Sequence, residues 1–204
     1  MADTDRTLQR PDAPQPATIA EPGALGLGAF AMTTFVLSTF NAGLINGKVL
    51  TVVIPLALFY GGIVQLLAGM WEFRRNNTFA ATAFASFGAF WLAYAGYVYV
   101  VVPHLLLAHQ LYQATGVFLL AWTIFTAYMT VAALRTTVAV LAVFVTLTLT
   151  FLFLTIGTFA QSTDWDRVGG WAGLVTAAVA WYASFAIVTN NTWKRTVLPV
   201  WPLG

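Results

Sequence analysis

Six stretches of the chain, at roughly 24–45, 49–71, 79–101, 113–133, 137–160 and 168–188, contain no Asp, Glu, Lys, Arg or His. A helix rises 1.5 Å per residue, so about 20 apolar residues match the ~30 Å hydrocarbon layer of a bilayer. A buried helix of a water-soluble protein still carries a polar stripe, and a transmembrane β-strand alternates over about 10 residues. Neither fits uninterrupted apolar runs of this length. Composition agrees: charged residues make up 8% of 204 positions, against about 25% in soluble domains, and the mean hydropathy is +0.78. The pattern predicts an all-α polytopic membrane protein whose lipid-embedded domain, 21–189, packs six transmembrane helices into one bundle.

The flanking segments read differently. Residues 1–20 are rich in Pro, Asp and Arg and lack aromatic residues, which predicts a disordered leader without the apolar block of a secretory signal. Residues 190–204 read as a C-terminal tail. An even number of spans puts both ends on one face. Arg6, Arg10, Arg74, Arg75, Arg135, Lys194 and Arg195 fall on that face, and only Lys48 and Arg167 on the other. The bias predicts cytoplasmic termini in a cell membrane. Cysteine is absent, so no disulfide or thiolate site exists.

Polar residues inside the spans are where a transport path would show, because the bilayer supplies no hydrogen-bond partners. In the first span Thr34, Ser38 and Asn41 recur at i, i+4 and i+7 and form one stripe beside Thr33. Gln65 in the second span, Thr82 and Ser86 in the third, and Thr146, Thr148 and Thr150 in the fifth are candidates to face it. Ser and Thr often bond the carbonyl four residues back, so each hydroxyl also has a purely structural reading; the amides of Asn41 and Gln65 have a weaker one. Pro55 is expected to kink the second span, and the GxxxG pairs Gly43/Gly47 and Gly169/Gly173 to allow close helix approach.

Between the second and third spans, WEFRRNNTF (Trp71–Phe79) reads as a tight hairpin with Arg74 and Arg75 at the anionic leaflet and Asn77 or Thr78 as helix cap. Glu72 is the residue that topology does not require, a carboxylate at the inner mouth. His104 and His109 have ligand-like spacing, but no carboxylate accompanies them, so no metal is expected. The glycine-rich EPGALGLGAF, opening the first span with Pro22, offers a helix N-terminus suited to a carboxylate.

Three segments together resemble a known family. EPGALGLGAFAMTTF (Glu21–Phe35) is similar to an N-P-x-P-L-G-L-x-x-F opening, with Glu21 in place of Asn and Ala24 in place of the second Pro. FYGGIVQLLAGMWEFRRNNTF (Phe59–Phe79) is similar to F-Y-G-G-x-x-Q-x-x-A-G-x-x-E-x-x-x-x-N-T-F, and TAFASFGAFW (Thr82–Trp91) to the family's next segment, at the start of the third span. This resembles the acetate uptake transporter family, the succinate–acetate permeases of the GPR1/FUN34/YaaH type. The resemblance implies a six-helix protomer, commonly in a homo-hexamer, with a path through each protomer. It also implies an apolar constriction at Phe30, Phe87 and Leu147, where Phe87 replaces the family's usual Tyr. It carries the family's Asn, Gln and Glu onto Asn41, Gln65 and Glu72.

The expected function is a transporter or channel for acetate and related short carboxylates, including succinate. An anion at mid-bilayer costs several kcal/mol and no cation lies inside the spans, which favours proton-coupled or neutral-acid passage. A pore for ammonia, ammonium or another small neutral solute is the alternative. The spans carry no acid, His or Cys for an intramembrane enzyme. Neither a cofactor nor a nucleic-acid partner is expected.

Overall fold

The computed structural model describes residues 19–104 and 110–203. Most of the leader and His109 lie outside them. Among the described residues are six helices long and apolar enough to cross a membrane: α1 (Gly23–Asn41), α2 (Gly47–Arg74), α3 (Thr78–His104), α4 (Leu111–Ala133), α5 (Val138–Ala160) and α6 (Thr163–Trp193). This is the all-helical, six-span architecture the hydropathy predicts. The helix ends differ from the apolar runs where local chemistry overrides composition. The first span stops at Asn41 because Gly43 takes a left-handed conformation, φ 74°, and Leu44 N–H donates back to the Thr39 carbonyl at 3.0 Å. By contrast, α6 extends five residues beyond its apolar run at each end, and Asp164 and Asp166 in its first turn suit the positive end of the helix dipole.

Pro55 does more than kink α2. It lacks a backbone N–H, and the helix widens immediately after it into a π-helical stretch, Leu56–Val64, before resuming α geometry from Gln65 to Arg74. At the hairpin, Asn77 caps α3 by accepting from Ala80 N–H at 3.1 Å, as the sequence predicts. The other polypeptide end is tied down: after Trp193 the chain doubles back, and Val138 N–H donates to the Trp201 carbonyl at 2.8 Å while Leu203 N–H donates to that of Thr136 at 2.9 Å. Ile19, Ala20, Arg75 and Lys194 line one hollow, so both ends of the described chain share a face, called here the terminal face.

Small residues set the helix spacing. α1 packs against α6, α2 and α3, α6 against α5, and α5 against α4. A Cβ added at Gly69 would lie 2.6 Å from the backbone nitrogen of Ala85, and one at Gly88 2.7 Å from that of Leu66, so α2 and α3 touch backbone to backbone. Gly169 faces Leu154 on α5, while Gly173 leaves room for Ser38 on α1, so this pair serves packing within the bundle. The Gly43/Gly47 pair does not: both lie beyond the end of α1, and nothing stands within 4 Å of a Cβ placed on Gly47. Replacing Gly69 by Val should therefore lower the thermal midpoint in detergent, at a cost of about 1–3 kcal/mol, while Gly47→Ala leaves it in place. Equal midpoints for the two variants would rule out backbone contact at Gly69.

Candidate functional site

A cavity of about 480 Å³ opens between α1, α3, α4, α5 and α6. Its mouth lies on the face opposite the termini, where Asn41 and Gly43 end α1 and Thr163, Asp166 and Arg167 begin α6. The walls are apolar, with Phe90, Trp91 and Tyr94 from α3 and Phe151 and Leu154 from α5. The hydroxyl-bearing stripe of α1 runs down one side, Ser38 then Thr34, and Thr150 joins it from α5. The floor is formed by Phe30 and Leu147, both buried near the middle of their helices.

Beneath the floor an aromatic cluster fills the space. The Phe30 ring meets Phe87 at 5.8 Å, and Phe87 in turn meets Phe125 at 5.4 Å and Trp122 and Phe144 at 6.1 Å. Phe87 thus stands behind Phe30, without lining the cavity itself. With no phenolic hydroxyl, it brings no hydrogen-bond donor to that layer.

The sequence-predicted polar residues divide into two groups. Thr34, Ser38 and Asn41 line the cavity. Thr33, Gln65, Thr82 and Ser86 do not. Thr33 donates to the Ala29 carbonyl at 2.9 Å and sits where a Cβ on Gly61 would go, so it serves the α1–α2 contact. In the fifth span, Thr146 and Thr148 bond backwards to the carbonyls of Ala142 and Phe144, and Thr148 also meets Thr130 on α4. Thr150 donates to the Thr146 carbonyl at 2.8 Å and touches Thr176 at 3.2 Å while still lining the cavity. Gln65 is fully buried outside the cavity, and its side-chain oxygen has no partner among the described residues. A hydrogen-bonding group left unmet in an apolar interior costs about 1–3 kcal/mol.

Glu72 belongs to the last turns of α2 and not to the hairpin loop, and it is 0% exposed. It sits beneath the start of α1, 3.4 Å from where a Gly23 Cβ would be, and does not line the cavity. Arg75 lies 3.7 Å from it and also makes an ion pair with Glu21. The helix N-terminus offered by EPGALGLGAF is occupied by the chain's own carboxylate, since Gly23 N–H donates to Glu21 at 3.3 Å. The Glu that replaces the family's Asn therefore joins α1 to the hairpin through Arg75. Two carboxylates depend on one guanidinium here, while Arg74 is exposed and makes no ion pair among the described residues. Arg75→Gln should destabilise the protein by about 3 kcal/mol, far more than Arg74→Gln, in denaturant or thermal titrations of the detergent-solubilised protein. Equal losses would show that the buried carboxylate does not need this partner.

Sequence reasoning missed Trp91, Asp166 and Arg167 as cavity residues. A signal existed for Trp91, which follows Phe87 by four residues and so shares its helix face. Asp166 and Arg167 fell in a stretch read as loop. Among the described residues no group of three His, Cys, Asp or Glu side chains comes together, and the His104 ring hydrogen-bonds to the Val100 carbonyl, one turn back on its own helix, at 2.7 Å.

With this geometry in view, the comparisons with known proteins are specific. Residues 6–204 match the GPR1/FUN34/yaaH family. The chain is 37% identical over 185 residues to the succinate-acetate/proton symporter SatP of Escherichia coli K12, covering 89% of this chain and 95% of that one. It is 42% identical over 191 residues to the ammonia transport outward protein 2 of Saccharomyces cerevisiae, covering 91% of this chain and 67% of the yeast protein. The solved structure of a bacterial acetate channel, SatP, superposes with a TM-score of 0.83 at 36% identity, over 90% of this chain and 99% of that one. A six-helix bundle with a hydroxyl-lined cavity over an aromatic floor, matched along nearly its whole length, places the chain in the GPR1/FUN34/yaaH family.

Proposed function

We propose that this membrane protein is a transporter or channel, not an enzyme, that passes acetate and related short carboxylates, succinate among them, along a path through each protomer. The observation that carries this reading is the cavity: it admits a small solute from the face opposite the termini and stops at Phe30 and Leu147. The names of the relatives, a succinate-acetate/proton symporter and an acetate channel, support the substrate class. The termini are assigned to the cytoplasm, the membrane to the cell surface and the assembly to a homo-hexamer, in line with the basic-residue bias and the family resemblance.

In this reading the hydroxyls of Thr34, Ser38 and Thr150 and the amide of Asn41 replace water around the entering carboxyl group, while Arg167 at the mouth is balanced by Asp166 beside it and by its 3.7 Å ion pair with Asp164. Phe30, Phe87 and Leu147 make the constriction. Apolar side chains around a narrow opening disfavour a continuous water column and so stop ions without a moving lid. Passage as the neutral acid, or with a proton, avoids the cost of an anion among those rings. Gln65 serves the path on the far side of the constriction, and Glu72 acts beyond it at the terminal face. An ammonia pore is the second reading, favoured by the name of the yeast relative.

Liposomes containing the purified protein test both readings with radiolabelled acetate and with ammonium. Acetate uptake should exceed that of protein-free vesicles while ammonium uptake should not; ammonium flux alone would select the second reading. Changing Phe30, Phe87 and Leu147 together to Ala should let larger carboxylates through. Unchanged size selectivity would remove these residues from the gate.

A further inference from the structure

Glu72 is the one fully buried Asp, Glu, Lys or Arg side chain among the described residues, and neither of its carboxylate oxygens accepts a hydrogen bond from them. Its one cation is shared. Nη1 of Arg75 stands 3.7 Å from Glu72, and the same nitrogen makes the closer ion pair with Glu21. Both carboxyl groups also converge on the start of α1: a Cβ on Gly23 would lie 2.9 Å from Oε1 of Glu21 and 3.4 Å from Oε1 of Glu72.

No second cation settles the balance. Arg74 and Lys194 are the other basic side chains nearby; both are exposed, and neither makes an ion pair among the described residues. Lys194 lines the hollow that Glu21 and Arg75 share, and the α6 residues beside it there, Ile187, Val188, Asn191 and Thr192, are uncharged. From the start of α3, Asn77 turns its side-chain oxygen onto Ala80 N–H. With both carboxyls ionised the cluster therefore holds one negative charge too many, next to a group that water does not reach. One proton cancels that charge. It also supplies what the Glu72 oxygens lack, an O–H donor, because a neutral carboxyl donates to a carboxylate.

We propose that Glu21 and Glu72 share one proton, and that Glu21, Arg75 and Glu72 form a pH-sensitive latch joining the start of α1 to the end of α2 at the terminal face. The inference goes beyond the transport reading and does not depend on which solute passes. Glu21 and Arg75 remain 29% and 31% exposed, which gives the proton a way to and from water. It belongs to the pair, so neither carboxyl titrates alone. The sign follows from the proton count. The closed latch holds a proton that the same carboxyls release in water once the pH passes their ordinary range near about 4. Closure is thus favoured at acid pH and lost as the pH on the terminal side rises through the titration of the pair. The helix it holds, α1, also carries Phe30 of the floor.

Thermal midpoints in detergent from about pH 5 to about pH 9 read this count. Wild type should lose about 3 °C per pH unit where the latch gives up its proton. Glu21→Gln and Glu72→Gln each leave one carboxyl for one guanidinium, so both curves should be flat there. Glu21→Gln keeps an oxygen for the Gly23 N–H, and at alkaline pH it should melt above wild type, the reverse of what losing an ordinary salt bridge does. Infrared spectra at neutral pH should show the carbonyl stretch of a neutral carboxyl in wild type that is missing from both variants. Amide exchange over residues 26–30, whose first N–H bonds to the Pro22 carbonyl at 3.1 Å, should at alkaline pH be faster in wild type than in Glu21→Gln. Should Glu72→Gln fail to fold, Glu21→Gln carries every measurement. A wild-type midpoint that falls no more with pH than that of Glu21→Gln, or a neutral-carboxyl band that survives in Glu21→Gln, overturns the shared proton. Equal amide exchange in the two proteins overturns the latch. No solute enters these measurements, so failure of the transport reading shows separately, in the liposome fluxes.

Discussion

Hydrocarbon offers no hydrogen bonds, and most of this structure is a response to that. Each backbone N–H and C=O inside the bilayer must be met within its own helix, which is why the described residues form six long helices joined by short connections. Side chains face the same constraint. Threonines fold their hydroxyls back onto carbonyls, or meet each other between helices as Thr123 and Thr155 do at 3.0 Å. Asn190 spends its amide on the backbone of the returning C-terminal segment. Against this background, the few buried polar side-chain atoms without a hydrogen-bond partner among the described residues stand out.

The unmet atoms fall into two zones separated by the aromatic layer. Above it, toward the face opposite the termini, Thr34 and Trp91 look into the cavity. Toward the terminal face, the Gln65 side-chain oxygen is unmet and the Glu72 carboxylate has its ion pair with Arg75 but no hydrogen bond among the described residues; both belong to α2, which does not line the cavity. The layer itself, built on Phe30 and Phe87, is continuous with the main apolar core. The described conformation is open on one side of that layer and packed on the other. Glu21, Arg75 and Glu72 hold the packed side together, tying the start of α1 to the end of α2.

The span count and fold class were legible in the sequence because hydropathy alone determines them. Caps at Asn77 and Thr137 were as local as a cap can be, though only Asn77 was recognised. The stripe Thr34–Ser38–Asn41 was legible as well, since helical spacing puts these residues on one face whatever surrounds them. What sequence could not supply was which way neighbouring faces turn. Thr33, one residue from Thr34, points at Gly61 because α2 approaches there, and nothing in the α1 sequence encodes that approach. Glu72 looked exposed because Arg74, Arg75 and two Asn come directly after it. Its burial comes from the N-terminal segment folding over it, a contact between residues some 50 positions apart. Trp91 was overlooked because tryptophan in a membrane helix is usually read as packing or as an interfacial anchor.

The central claim is that a water-accessible cavity enters from the face opposite the termini and ends at the Phe30–Leu147 floor. The native chain contains no cysteine, so single cysteines can be placed without a background. Ser38→Cys, inside the cavity, and Leu27→Cys, one turn below the floor and 6% exposed, form the informative pair. In oriented vesicles a small membrane-impermeant thiol reagent added on the side opposite the termini should label Ser38→Cys, and acetate should slow that reaction, while Leu27→Cys stays unlabelled. Equal labelling of the two positions, or labelling of Ser38→Cys only from the terminal face, would contradict the account.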